Sequence, residues 1–145
     1  MAEEQQTLMI NSQYIKDLSL EIPHAPEIFK EMTKQPQIKV DVSVDTIKMQ
    51  EDNTYNVDLN IALNGDIDDK KLFILELTYS ALVTLVVPQE HIDPILNIEI
   101  PRLTFPFARN VIAQCMIESG LPPIVLTPID FAAVYTAKKA KQGEN

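Results

Sequence analysis

The chain has 145 residues, 46% hydrophobic, 6% aromatic and without Trp; this describes one domain with a mainly aliphatic core and excludes a disordered chain. Twenty-one acidic residues against 12 basic ones give a net charge of −9, a field that repels nucleic acid and anionic membranes and favours a basic partner.

Residues 1 to about 9 are polar and read as a mobile end. They lack the basic and apolar regions of a secretory signal, which points to the cytoplasm. From Tyr14 to Ile22 the pattern has period 2. Leu18, Leu20 and Ile22 point one way and Asp17, Ser19 and Glu21 the other, as in a half-buried strand. Pro23-His24-Ala25-Pro26 stops this strand, since proline donates no ladder hydrogen bond. A helical turn is expected around Glu27 to Met32.

A second strand starts near Ile38, with Ile38, Val40, Val42 and Val44 opposite Lys39, Asp41, Ser43 and Asp45. Glu51-Asp52-Asn53 reads as a compact turn. In the third strand Tyr55, Val57, Leu59, Ile61 and Leu63 face in, while Asn56, Asp58 and Asn60 face out. Asn64-Gly65-Asp66 signals the next turn. The fourth strand, Lys71 to Val87, would span about 50 Å if straight. Its second half is apolar on both faces, as an interface between subunits would require. This run is too short and too strand-like for a membrane-spanning helix.

Beyond Pro88, Gln89 to Ile98 reads as a short helix or crossover, and Pro101 opens a longer helix. The longer helix carries an apolar stripe of Ala108, Val111, Ile112, Cys115 and Met116, with Pro106 placed to kink it. Gly120 caps it in the left-handed conformation. The last helix is expected to start with Thr127 as N-cap and Pro128 at the first position. Lys138, Lys139 and Lys141 sit at its C-terminal end, and Gln142 to Asn145 read as frayed. Strands followed by helices argue for α+β, a four-stranded antiparallel sheet with helices packed on one face.

Little in this sequence carries catalytic chemistry. The three glycines are isolated, so no phosphate-cradling loop is formed. His24 and His91 have no partners at metal-ligand spacing, and the Asp66, Asp68, Asp69 group lacks the glycine and glutamate of a calcium loop. Cys115, the only cysteine, excludes an intrachain disulfide and reads as an inert member of the helix stripe. No cofactor and no metal are expected. Two features stand out. One is the outward face of the sheet, where Asp17, Glu21, Asp41, Asp45, Asp58 and Glu76 project with Lys39 as the basic exception, a dock for a basic partner. The other is a cluster of Phe105, Phe107, Phe131 and Tyr135 with Tyr79, which reads as core packing or as a groove for apolar segments.

Three stretches carry a family resemblance: Tyr14 to Pro26, Pro101-Arg102-Leu103-Thr104-Phe105-Pro106-Phe107-Ala108-Arg109, and Gly120 to Phe131 with Leu121-Pro122-Pro123 and Thr127-Pro128-Ile129-Asp130. Together they make the chain resemble SecB, the bacterial protein-export chaperone, over nearly its whole length. The resemblance implies a SecB-like fold assembled as a homotetramer, a dimer of dimers. It implies an ATP-independent holdase that binds unfolded precursor proteins and passes them to the SecA motor. It assigns SecA binding to Asp17, Glu21 and Glu76, and the client groove to Phe105, Phe107, Phe131 and Tyr135. Where the family often has a longer acidic tail, this chain has Lys138, Lys139 and Lys141; Leu77 and Tyr79 stand where the family is often polar. The competing readings are a SecB-like chaperone dedicated to an antitoxin, and an acyl-thioester enzyme of hotdog type, for which no catalytic pairing is visible.

Overall fold

The computed structural model describes residues 5–143. Strands β1 (Thr7–Glu21), β2 (Gln37–Lys48), β3 (Thr54–Ile67) and β4 (Lys70–Val86) form one antiparallel sheet in the order β1-β4-β3-β2. Two tight hairpins build β2-β3-β4. The segment after β1, with a 3-10 turn at Glu27–Lys30, spans from one edge of the sheet to the other. Helices α1 (Gln89–Pro94), α2 (Ile100–Glu118) and α3 (Phe131–Gly143) follow. α2 packs on β3 and β4, and α3 packs on β2.

The alternation read from the sequence defines the layers. Leu59, Ile61, Leu63, Leu75, Leu77, Val83 and Leu85 are buried on the helix side against Ile100, Phe105, Ala108, Ile112 and Met116. Truncating one such leucine to alanine costs about 2–5 kcal/mol. Leu77 and Tyr79 both turn into this core, where the Tyr79 hydroxyl donates to Gln13 Oε1 at 3.4 Å.

Several expectations are corrected. Residues 7–9, expected to be mobile, are strand and pair with 84–86. Of the rest of the expected mobile ends, residues 5–6 are exposed and in no element, residues 140–143 are helical, and residues 1–4 and 144–145 lie outside the described residues. Gly65 is not in a turn but inside β3, where an added Cβ would run into the Phe73 ring. The glycine is needed for this close approach, and the chain reverses instead at 68–69, with Asp68 at φ +53°. The turn at Asn53 (φ +58°) is as expected, since asparagine tolerates that conformation.

The two helices expected around Pro101 are one continuous run. A π-helical turn at Ile95–Glu99 joins α1 to α2, and Pro94, Ile95 and Ile100 all keep helical backbone angles. Pro101 has no N–H to give to the preceding turn, and the widened turn falls just before it. At the other end Gly120 takes φ +74°, and the Leu121 N–H reaches Met116 O at 3.0 Å, closing α2 as expected. Thr127 does not cap α3. Asp130 does so, accepting from the Ala133 N–H at 3.1 Å, because the extended run 121–130 delays the helix to Phe131.

Candidate functional site

The sheet has one face covered by helices and one open face. Asp17, Glu21, Asp41, Asp45, Asp58 and Glu76 all occupy open-side positions of the register. Asp17, Asp41 and Glu76, from β1, β2 and β4, line one concavity of about 270 Å³ floored by Asn60, Ala62 and Thr78. Glu21 lies two positions beyond Ser19, the cross-strand partner of Glu76. Among the described residues, no salt bridge involves Asp17, Glu21, Asp41, Asp45 or Glu76. Their field is therefore available to a cation-bearing surface.

Side-chain hydrogen bonds tie neighbouring strands together across this face. Asn60 accepts from Thr78 Oγ1 at 2.8 Å and donates to Asp45 Oδ2 at 2.9 Å, bridging β4, β3 and β2. Lys71 pairs with Asp66 at 3.1 Å and donates to Asn64 Oδ1.

Asp58 departs from the sequence reading. It is only 7% exposed and its charge is not part of the free field. Ser80 Oγ donates to Oδ1 at 2.5 Å, Asn56 Nδ2 donates to Oδ1 at 2.9 Å, and Lys16 Nζ meets Oδ2 at 3.1 Å. Tyr14 Oη in turn donates to Asn56 Oδ1 at 2.7 Å. Burial alone would raise the Asp58 pKa, but the hydrogen bonds from Ser80, Asn56 and Lys16 together hold it below its ordinary value. The hydrogen bond from Lys16 to Asp58, with their mutual attraction, raises the lysine pKa.

Strict alternation would turn Lys16 to the helix side with Leu18. It is brought to the open side because β1 slips register between Ile15 and Asp17, a β-bulge; a second slip lies between Ile10 and Ser12. No signal in the sequence marks this slip, which shows only in the register. Tyr14 and Asp17, three residues apart, share the open face here, which a regular strand does not allow.

The aromatic cluster divides. Phe105 and Phe131 are buried and meet edge to face with centroids 6.0 Å apart, with the Arg109 guanidinium 5.5 Å from the Phe105 ring centroid. Phe131 is the one buried residue of α3 among those described and anchors its start. Phe107 is 51% exposed, and Tyr135 donates its hydroxyl to Asp93 Oδ2 at 3.0 Å. The four do not line one groove.

Open apolar space lies instead where α3 and the run before it meet β2. One trough of about 350 Å³ is lined by Val40, Val42, Leu126, Ile129 and Val134. A second of about 440 Å³ is lined by Val42, Val44, Val134 and Ala137, with Ser43, Asp45, Lys138, Lys141 and Gln142 as its polar border. Lys138 fixes α3 beside them, donating to Val44 O at 2.7 Å and Asn97 Oδ1 at 3.1 Å. The β2 valines were legible as an apolar face, but that α3 leaves them partly uncovered was not. Among the described residues there is no cluster of metal-ligating side chains, and no helix long and apolar enough to cross a membrane.

The family model for preprotein translocase subunit SecB matches residues 1–142. The chain belongs to the SecB family. It is 47% identical over 141 residues to the protein-export protein SecB of Paramagnetospirillum magneticum, covering 97% of this chain and 90% of that one. The SecB of Rickettsia felis is 37% identical over 135 residues, covering 92% and 89%. Among solved structures, a SecB-like chaperone of Mycobacterium tuberculosis, in complex with a peptide from an antitoxin, superposes with a TM-score of 0.71. It covers 84% of this chain and 90% of the other at 11% identity, and so shows a shared fold.

Proposed function

We propose that this SecB family member is an ATP-independent cytoplasmic holdase, not an enzyme, that keeps unfolded precursor proteins competent for export and delivers them to the SecA motor. The observation that carries this reading is that one sheet bears two surfaces of opposite character, which adjoin at Val42 and Ser43 of β2. Unpaired carboxylates stand on the open face, and apolar troughs lie at the β2–α3 margin of the helix side. Delivery requires that a client and the motor be held at once, and separate surfaces permit it.

In this reading Asp17, Glu21 and Glu76 meet basic residues of SecA, with Asp41 and Asp45 adding to the field. Apolar client segments lie in the troughs over Val40, Val42, Ile129 and Val134, with half-buried Tyr135 following Val134 on α3. Phe105 and Phe131 act from beneath, by fixing where α3 begins.

The chain assembles as a homotetramer, a dimer of dimers. β1 is an edge strand of 15 residues that leaves Leu8, Met9, Ile15 and Leu18 exposed, and α2 leaves Leu103, Phe107 and Ile117 exposed. Such surfaces are an aggregation hazard in a monomer and suit pairing with further copies.

The antitoxin reading draws on a neighbour that shares the fold at 11% identity, whereas relatives at 37–47% carry the export name. The test is suppression of aggregation of a urea-unfolded precursor at near-stoichiometric ratio without nucleotide. The expected result is full suppression, and unabated aggregation would refute the proposal. Asp17→Ala with Glu76→Ala is expected to weaken SecA binding about tenfold, the effect of roughly 1.4 kcal/mol, while client holding is retained.

A further inference from the structure

The carboxylates of the open face depend on a strand that is not regular. β1 is an edge strand, held to the sheet on one side by β4, and it changes register twice. Without the slip between Ile15 and Asp17, the alternation that places Tyr14 on the open side would turn Asp17 and Glu21 toward the helices and Leu18 and Leu20 toward water. The slip is therefore what brings these two acids onto the same face as Glu76 and Asp41.

At the slip sits Lys16. Its side chain passes over β4 to reach Asp58 on β3, the next strand but one. Asp58 is prepared to receive it. The carboxylate is almost fully buried, and two neutral donors, Ser80 and Asn56, hold Oδ1 so that Oδ2 faces Lys16. Tyr14, just before the slip, crosses β4 in the same way to Asn56. These two ties bracket Ile15.

The pair has an electrostatic consequence as well. Lys16 adjoins Asp17 in sequence, and a free ammonium there would offset the charge that a basic partner reads. Paired with Asp58, it adds no net charge to the face.

Resting on the reading of this face as the motor dock, we propose that Asp58 is a positioning residue for it: by capturing Lys16, Asp58 fixes the bulge of β1 and sets Asp17 and Glu21 on the open side. Asp58 makes no contact with the partner itself. It acts through Lys16 and the strand.

The proposal separates from a simple charge account by sign. Lys16→Met makes the face one charge more acidic. If net field alone governed docking, this variant would bind SecA more tightly; if the bulge governs it, binding weakens. The experiment measures SecA affinity by calorimetry for the full-length chain and its Lys16→Met, Asp58→Asn, Lys16→Arg and Asp17→Ala/Glu76→Ala variants, with client holding as the control for folding.

Lys16→Met and Asp58→Asn are each expected to lose about three- to tenfold in SecA affinity, within the range for coupled neighbours, and Lys16→Arg, which keeps the ion pair, to restore it. Client holding should be unchanged throughout. Should Asp58→Asn lose client holding, Lys16→Met decides alone, since its side chain is half-exposed and its replacement leaves the core intact. Tighter or unchanged SecA binding by Lys16→Met, beside a weakened Asp17→Ala/Glu76→Ala, overturns the positioning role and leaves the dock standing. An unaffected Asp17→Ala/Glu76→Ala overturns the dock and the positioning role together.

Discussion

The open face of the sheet and the β2–α3 margin are made by the same strands yet recognise by opposite means. On the open face the backbone is continuous, the side chains stand at fixed spacing, and charge is arranged by register. At the margin the surface is apolar, and its shape is set by how far a helix anchored through one buried residue covers the strand beneath it. A register-defined face suits a folded partner met in one geometry. A trough bordered by a lightly packed helix and an extended segment suits many sequences met in none. The proposed function accordingly gives the motor to the first and the client to the second.

The largest expected effect strikes the margin. Ile129→Asp with Val134→Asp puts unpaired charge into both troughs. It should abolish client holding, a loss of at least about a hundredfold in affinity given the cost of burying charge, while SecA binding stays within about twofold. Aggregation assays and calorimetry on one preparation read both. Parallel loss of the two functions would break the assignment.

Next comes salt. Between exposed charges, attraction is screened over about 8 Å at physiological ionic strength. Raising the salt should therefore weaken SecA binding several-fold and leave client holding level or slightly stronger. Titrations at two salt concentrations decide this, and a common salt response would remove the distinction.

The smallest effect is on stability against acid. Asp58 has its pKa lowered in the folded state from an ordinary 3.8. The unfolded chain thus binds this proton more readily, and Asp58 stabilises the fold above about pH 4. That contribution declines as the pH falls through the lower folded value. Asp58→Asn should flatten the acid limb of the stability curve below about pH 4, measured by urea unfolding, and leave the curve above pH 6 parallel to wild type.

Much of this was legible in the sequence because period 2 is a robust signal. It identified the four strands, the antiparallel sheet and the side on which Asp17, Glu21, Asp41, Asp45 and Glu76 stand. It failed where local geometry overrides periodicity. Gly65 mimicked a turn, although its missing side chain makes room for Phe73. The place of Lys16 on the open face went unread, because a bulge adds one residue without any compositional mark. Asp58 counted as free charge, since sequence does not show that Ser80 and Asn56 converge on it. The aromatics were grouped by type, but helix phase buries Phe105 and leaves Phe107 in water. The troughs depend on where α3 begins, and that follows from Asp130, not Thr127, serving as its cap.

The central claim is that client and motor occupy separate surfaces, and it is tested most directly by measuring SecA affinity for the chaperone empty and saturated with an unfolded precursor. The account predicts a ternary complex, with SecA bound to the loaded chaperone at least as tightly as to the empty one. Displacement of the precursor by SecA, in proportion to SecA bound, would contradict it.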